Sequence, residues 1–200
     1  MRQSLATICA LATAVAPAFA GEVYVVDTTR SEAKFEVRYL YKRITGRMRD
    51  IHGVMVLDPA NPGASSVNFS ILVASVDTGS ADLNQQLRSA YALNTAKYSK
   101  INFQSTSIKP TAKANHYQVS GELTLHGVTR SVTLPVEVHR VVQDAGGLVR
   151  AGFLVRTTVS RRDYGISWNS LLDHATSLVG DEVRLTVSLV AAKHAPTPSN

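Results

Sequence analysis

The strongest constraint on this chain is an alternation of apolar and polar side chains with a period of two. Between residues 33 and 39, the apolar side chains of Ala33, Phe35, Val37 and Tyr39 alternate with charged ones. Successive side chains of a β-strand point to opposite faces, so this pattern predicts a half-buried antiparallel strand with one charged face. The same period returns in runs at residues 55–57, 67–73, 101–104, 117–125, 132–138, 153–159 and 183–189.

These runs amount to about eight strands, separated by turn signals such as His126-Gly127 and Gly146-Gly147. Closing the strands into a barrel removes the edges that an open sheet would expose. We therefore predict an all-β protein, a closed antiparallel barrel of about eight strands. A barrel of this size is filled by side chains or holds one small ligand, and alternation alone does not distinguish a packed core from an apolar cavity.

Two segments break the period and predict short helices. Residues 80–93 place leucines at helical spacing behind Ser80, a candidate N-cap. Residues 167–177 carry Trp168 and two leucines in a second short amphipathic stretch. Residues 194–200 contain two prolines and predict a disordered tail.

The first twenty residues have the pattern of a secretory signal peptide. Arg2 supplies the positive charge, residues 5–16 are uncharged and mostly apolar, and residues 18–20 form an A-x-A cleavage motif. The apolar run is too short for a membrane span. We expect cleavage before Gly21, and a retained N-terminal anchor is the alternative. The mature chain is then one barrel domain, residues 21–193.

The composition of the mature chain excludes several kinds of chemistry. Cys9, the only cysteine, lies in the predicted leader, so disulfides, thiolate catalysis and cysteine-ligated metals are not expected. Removal of Arg2 lowers the formal net charge from +6 to +5. In a secreted protein, this mild excess fits anionic lipid headgroups or a polyanionic envelope, or serves solubility, and nucleic acid is not a predicted partner.

No catalytic motif is present: there is no G-x-S-x-G, H-E-x-x-H, P-loop or dinucleotide fingerprint. The histidines are scattered and show no metal-ligand spacing, so we predict no catalytic residue, metal or cofactor. His126, at a strand–turn junction, either bonds the turn backbone or contacts a ligand.

Two charged stretches each leave a structural and a binding interpretation open. Four basic residues lie between positions 42 and 49. They form either a contact for an anionic headgroup or membrane, at about 1 kcal/mol per charge, or a solvated hairpin with charged gatekeepers. The Arg-Arg-Asp sequence at residues 161–163 either clamps a loop through a charge-assisted pair or binds a polar headgroup at the barrel mouth.

Seven segments, read in chain order over residues 23–193, resemble the YceI-like family. The sixth is close to the family hallmark Gly-x-Leu-Thr-Leu-His-Gly-Val-Thr. The segments are YVVDTTRSEAKFEVRYL, GRMRDIHGVMVLDP, ILVASVDTG, QLRSA, INFQSTSI, GELTLHGVTRSVTLPV and AGFLVRTTVSRRDYGI.

The resemblance implies an extended eight-stranded, lipocalin-like barrel with a long internal channel. Family members bind polyisoprenoid lipids, quinones or other amphiphiles, and many are periplasmic. They have no established catalytic residues or required metal, and some accompany cytochrome b561-type membrane proteins. We therefore expect a periplasmic binding protein, not an enzyme, that holds a polyisoprenoid or isoprenoid quinone as carrier or buffer. The oligomeric state stays open, with a homodimer as one option.

Strand parity, combined with the internal ligand that the resemblance implies, predicts which side chains line the channel. They are Phe35, Val37, Tyr39, Met55, Leu57, Phe69, Ile71, Phe103, Leu123, Leu125, Phe153, Val155, Leu185 and Val187. The chain departs from the family pattern at three places, and the loss of an aromatic pair at one of them bears on how the channel closes beside the helix. Tyr39 stands where the family often has His, Ala92-Leu93 replaces Phe-Phe, and Ser99 replaces Pro.

Two other functional classes share parts of this pattern. An outer-membrane barrel also has alternating strands and a leader, but it predicts aromatic girdles and, in many cases, a terminal aromatic, and the last strand VRLTVSLVAAK has no aromatic. An enzyme acting on a lipid-like substrate would need a nucleophile beside a base, and the sequence indicates no such pair.

Overall fold

The structure is a computed structural model that describes residues 21–167 and 179–194, with the backbone alone at residues 140 and 141. The predicted signal peptide, most of the second predicted helix and the predicted tail beyond residue 194 lie outside the described residues. The helix α1 spans Ala81–Arg88. The strands are β1 (Glu22–Val26), β2 (Glu32–Tyr39), β3 (Lys42–Met48), β4 (Ile51–Leu57), β5 (Ser66–Leu72), β6 (Lys100–Pro110), β7 (His116–Leu125), β8 (Val128–Gln143), β9 (Val149–Ser160) and β10 (Val179–Lys193).

The strands form one antiparallel sheet in the order β1-β4-β5-β6-β7-β8-β9-β10-β2-β3, and the pairing of β1 with β10 closes it. β1 and β2 follow one another along β10, where Val26 pairs with Ala191 and Glu32 pairs with Ser188. β3 and β4 run in succession beside them. The ten segments therefore occupy eight positions around the barrel, which confirms the predicted all-β, eight-stranded antiparallel barrel.

The break between β1 and β2 is held by local side-chain hydrogen bonds. The Asp27 carboxylate accepts from the backbone N–H and the hydroxyl of Thr29, at 3.1 and 2.6 Å. The buried Ser31 hydroxyl donates to the Asp27 carbonyl at 2.8 Å and accepts from the Val190 N–H at 3.0 Å. The hydroxyl thus satisfies a β10 donor where the ladder is interrupted, so the barrel wall stays closed there.

The helix α1 begins where the sequence predicts and ends earlier. Ser80 is the N-cap, and its side chain accepts from the Leu83 N–H at 3.4 Å. The helix ends at Arg88 because Ser89 adopts an extended conformation, and the chain then turns so that Leu93 N–H bonds the Leu87 carbonyl. Arg88 holds the helix against the segment that follows β5 by donating to the carbonyls of Ala74 and Val76 at 2.9 and 2.8 Å.

Most of the outer face of the barrel is polar and carries ion pairs between neighbouring strands, although Val23, Val25 and Val54 are exposed on it. Arg184 on β10 lies 3.1 Å from the Glu36 carboxylate on β2, and Arg43 on β3 lies 3.1 Å from the same group. Side chains of the opposite parity face inward and form the apolar interior. Among the residues that the structure describes, no helix is long and apolar enough to cross a bilayer.

Candidate ligand-binding site

The barrel interior contains two apolar cavities arranged end to end. The first measures about 230 Å³ and the second about 180 Å³. Phe69, Leu134, Val155 and Leu189 line both, and we call these four residues the waist. Because the same side chains border both spaces, a chain-like ligand that displaces them would occupy one continuous channel.

Two aromatic rings of the interior, those of Phe35 and Phe103, depend on glycines on the neighbouring strands. Phe69 and Phe103 stack with ring centroids 5.3 Å apart. A Cβ added at Gly121 on β7 would lie 2.7 Å from the Phe103 ring and 2.4 Å from the Gln104 carbonyl. Gly46 makes the same room for Phe35 on the neighbouring pair of strands, where an added Cβ would lie 2.4 Å from the ring. These two rings therefore occupy space against the backbone that a side chain at either glycine would take.

The first cavity ends at a mouth that carries carboxylates. Glu22, Asp58 and Ser65 lie on its rim. Lys193 donates to the Glu22 carboxylate, and the Tyr24 hydroxyl donates to it at 3.0 Å. The bonds from Lys193 and Tyr24 lower the pKa of Glu22. Burial, reinforced by the bond to Glu22, raises the pKa of Tyr24 to about 12. Both groups are therefore in their ordinary charge states at neutral pH.

The second cavity ends at Arg161, whose guanidinium forms hydrogen bonds within the protein. Arg161 is 7% exposed and donates to the carbonyls of Ile166, Val179 and Gly180 at 3.0 to 3.1 Å. It also lies 3.2 Å from the Asp181 carboxylate. Of the two interpretations of residues 161–163, the contacts favour the loop clamp, with Asp181 rather than the adjacent acidic residue as the carboxylate.

His126 and Gly127 occupy the predicted turn between β7 and β8, with φ of 52° and 77°. The His126 Nδ1 lies 3.2 Å from the Tyr164 carbonyl, and the ring packs against Tyr98 at a centroid distance of 4.2 Å. His126 therefore contacts backbone rather than a cavity, in line with the first of its two interpretations. The carbonyl that it contacts belongs to the segment after β9 and not to its own turn. It lies on neither cavity wall.

Among residues 21–167 and 179–194, no three His, Cys, Asp or Glu side chains cluster in a way that could hold a metal ion. The closest approach of a histidine to a carboxylate there is His52 Nε2 to Asp50 Oδ1, at 2.6 Å on the outer surface. The absence of a metal in the working protein stays a prediction.

The structure places all but one of the predicted channel residues on the cavity walls. The first cavity is lined by Met55, Leu57, Phe103 and Phe153, the second by Phe35, Val37, Ile71, Leu123, Leu125, Leu185 and Val187, and both by Phe69 and Val155. Tyr39 is the exception: it pairs with Val179 at the end of β2 and lies on neither wall. That these side chains contact a ligand stays a prediction.

Sequence reasoning missed part of the wall. The largest omission is β8, which supplies Leu134, Val136 and Val138 although its alternation is as regular as that of β9. Tyr24 was also missed, because β1 reads as an unbroken apolar run. Leu93, one of the departures from the family pattern, lines the second cavity beside α1. Parity would have found the β8 residues.

Comparison with known proteins identifies the family. A model described as the YceI-like domain matches residues 24–191. The chain belongs to the YceI-like family. This YceI-like chain is 37% identical over 146 residues to Protein YceI of Escherichia coli O157:H7, covering 72% of the chain and 75% of the relative. It is 33% identical over 168 residues to a UPF0312 protein of Shewanella sp. (strain W3-18-1), covering 82% and 87%.

Solved structures share the same barrel. Burkholderia cenocepacia BcnA superposes with a TM-score of 0.73 at 26% identity, covering 82% of this YceI-like chain and 98% of that one. A Saccharophagus degradans domain superposes with a TM-score of 0.65 at 20% identity, covering 86% and 98%. That domain is described as a polyisoprenoid binding domain implicated in plant cell wall breakdown. Both the family and the fold predicted from the sequence are confirmed.

Proposed function

We propose that this protein binds the long apolar chain of a polyisoprenoid or isoprenoid quinone inside its barrel, as a carrier or buffer. The observation that carries the proposal is the pair of apolar cavities that meet at the waist. The Saccharophagus degradans domain, described as polyisoprenoid binding, has the same fold. At 20% identity that likeness concerns the fold, so the argument rests on the cavities of this chain.

The dimensions of the interior suit a chain rather than a compact ligand. On β9, Ala151 lines the first cavity and Val159 lines the second. Eight residue steps along a strand span about 26 Å, or roughly 20 Å along the axis of a barrel whose strands tilt by about 40°. A ligand that buries apolar surface over this length gains about 25 cal/mol per Å².

The charges at the two ends favour an uncharged head over a diphosphate. At the first mouth, Lys193 is already paired with Glu22, and the Asp58 carboxylate disfavours an anion. At the other end, Arg161 already bonds three carbonyls and the Asp181 carboxylate. An anionic head would have to displace those contacts. We therefore favour the isoprenoid quinone, or a neutral polyisoprenoid, as the ligand.

The composition of the same walls supports the proposal of binding without catalysis. Among the described residues that line the cavities there is no histidine or cysteine, and the rim carboxylate of Glu22 is bonded to Lys193 and Tyr24. A lipid-modifying enzyme would need a nucleophile beside a base at this surface. We propose that the protein works without a catalytic residue, a metal or a cofactor.

The location and partners are proposed from the sequence. The signal-peptide pattern predicted at residues 1–20 supports a proposed export to the periplasm. The family resemblance supports a functional link to a membrane quinone or cytochrome b561-type protein. The ion pairs between strands on the outer face, such as Arg184–Glu36, argue against an outer-membrane barrel, whose lipid-facing band is apolar.

The proposal is tested by identifying what the protein carries. The exported protein is purified without detergent, and its organic extract is examined by mass spectrometry. We expect a polyisoprenoid or isoprenoid quinone near one per protein. Leu134→Glu, at the waist, should abolish it, whereas Thr133→Glu, the neighbouring outward residue, should leave it in place.

Circular dichroism establishes whether both variants remain folded. An extract without isoprenoids, from a protein whose delipidated form also fails to take up added isoprenoid quinone, would overturn the proposal. Retention of the lipid by a folded Leu134→Glu protein would place the ligand elsewhere.

A further inference from the structure

The tip of the β2–β3 hairpin has residues that a solvated turn does not favour. Tyr39 pairs with Lys42, so the turn consists of Leu40 and Tyr41 alone. Two-residue hairpin turns require positive φ and are dominated by glycine, asparagine and aspartate. Here Leu40 has φ of 53° and is 46% exposed, and Tyr41 is fully exposed. A leucine in a left-handed conformation beside a bare aromatic ring points to a use for this apolar tip.

Exposed cations surround the tip. Arg38, Lys42 and Arg43 lie within three residues of it, and all three are exposed. Arg43 is paired with Glu36 at 3.1 Å, whereas Arg38 and Lys42 make no ion pair with a carboxylate in the described part of the chain. An apolar tip within a ring of cations complements the interfacial region of an anionic bilayer, because the ring and leucine enter below the phosphates that the cations bind.

The hairpin tip lies at the barrel end that holds the second cavity, near a further exposed aromatic ring. Tyr39 pairs with Val179 at the start of β10, and Val179 and Val37 line the second cavity. The tip therefore projects from the end at which this cavity lies. Tyr91, 73% exposed, lies between α1 and β6, two residues before Leu93 of the same cavity wall.

We propose that this hairpin end is a membrane-docking surface. Leu40 and Tyr41 insert into the interface of an anionic phospholipid bilayer, and Arg38, Lys42 and Arg43 bind its phosphates. Docking would hold the second cavity against the membrane, where an apolar ligand could pass between bilayer and barrel. The purpose of docking rests on the proposed function, but the docking itself does not require that the protein carry a lipid.

The test uses flotation of delipidated protein with vesicles of phosphatidylglycerol and phosphatidylethanolamine, compared with phosphatidylcholine vesicles. We expect binding to the anionic vesicles that weakens as salt is raised. Lys42→Gln should weaken it about fivefold, and the pair Arg38→Gln and Lys42→Gln roughly 25-fold. Tyr41→Ser should weaken it several-fold at unchanged charge.

Matched controls lie at the opposite end of the barrel. Leu148→Ser, beside the β8–β9 turn, and Lys113→Gln, in the β6–β7 turn, remove an exposed apolar and an exposed basic side chain there. They should leave vesicle binding unchanged. In Tyr41→Trp, addition of anionic vesicles should shift the emission to the blue, after subtraction of the wild-type signal from Trp168.

Three results would overturn the proposal: no binding of the wild-type protein to anionic vesicles, equal losses in the hairpin and control variants, or an unshifted emission from vesicle-bound Tyr41→Trp protein. Conversion of a dimer to monomer by Tyr41→Ser, with vesicle binding unchanged, would assign the tip to a second copy of the chain. If the wild-type protein bound vesicles, but its native extract contained no isoprenoid and its delipidated form took up no added isoprenoid quinone, the proposed function would be refuted and the docking surface would stand.

Discussion

Replacing Val155 by phenylalanine separates a ligand channel from a packed core. Val155 is 8% exposed, and it belongs to the waist. In a filled interior the larger side chain would overpack and cost about 1–3 kcal/mol. Beside two cavities, the ring instead enters empty space, where each added buried carbon gains up to about 0.8 kcal/mol. We expect the ligand-free protein to keep its free energy of unfolding within about 1 kcal/mol.

The matched control is Val76→Phe. Val76 is 0% exposed and lines neither cavity, so the same change must overpack. A cost of about 2 kcal/mol corresponds to a Tm lower by about 6 °C for a protein of this size. The assay is thermal unfolding of both delipidated variants followed by circular dichroism, together with titration by an isoprenoid quinone followed through protein fluorescence.

Ligand affinity should respond in the opposite way to stability: Val155→Phe should weaken binding more than Val76→Phe does. Val155→Phe narrows the waist, and we expect affinity to fall at least about tenfold, equivalent to about 1.4 kcal/mol. Val76→Phe, if folded, should bind as the wild-type protein does. If Val155→Phe destabilised the ligand-free protein as much as Val76→Phe, the waist would be a packed core. If it bound the quinone with unchanged affinity, the ligand would lie outside the channel.

Three further predictions concern charge and pH. Phe153→Asp should lower the free energy of unfolding by several kcal/mol, because it buries an unpaired carboxylate. Thr158→Asp, which faces outward on the same strand, should change it by no more than about 0.5 kcal/mol. Chemical denaturation of the two variants measures both values. Arg161→Lys should lower the free energy of unfolding by about 3 kcal/mol, because one amine cannot bond all the carbonyls that the guanidinium holds. Hydrogen exchange of the Ile166 amide should also become faster. Unchanged stability and exchange would refute the loop clamp. Because the pKa of Tyr24 is raised to about 12 in the folded protein, its contribution to stability is complete below about pH 10 and is lost as the pH rises towards about 12. Tyr24→Phe should therefore show a smaller fall in Tm at alkaline pH than the wild-type protein. Equal falls in Tm would contradict the raised pKa of Tyr24.

The sequence predicts the strands best where one face is apolar and the other is charged or small and polar. β2, β6 and β9 follow that pattern, and their inward residues were identified by parity. β1 was missed because its outward residues Val23 and Val25 are apolar, which hides the period of two. β3 was not counted among the predicted strands, because Gly46 separates its two large apolar residues, Ile44 and Met48, and interrupts the alternation.

The sequence does not predict how much empty space the inward side chains leave inside the barrel. Alternation states which side chains face inward, but the radius they must fill depends on how far neighbouring strands are staggered around the barrel. In this barrel, Gly46 and Gly121 leave room for the Phe35 and Phe103 rings to lie against the backbone. The same aromatic residues opposite alanine or valine would have to point inward and would fill the space. Gly121→Ala should therefore push the Phe103 ring towards the first cavity and reduce the uptake of an apolar chain, whereas Gly180→Ala, where an added Cβ lies 3.2 Å from Arg38 Cβ on the outer face, should leave uptake unchanged. Equal quinone binding by both folded variants would show that the glycines do not maintain the channel.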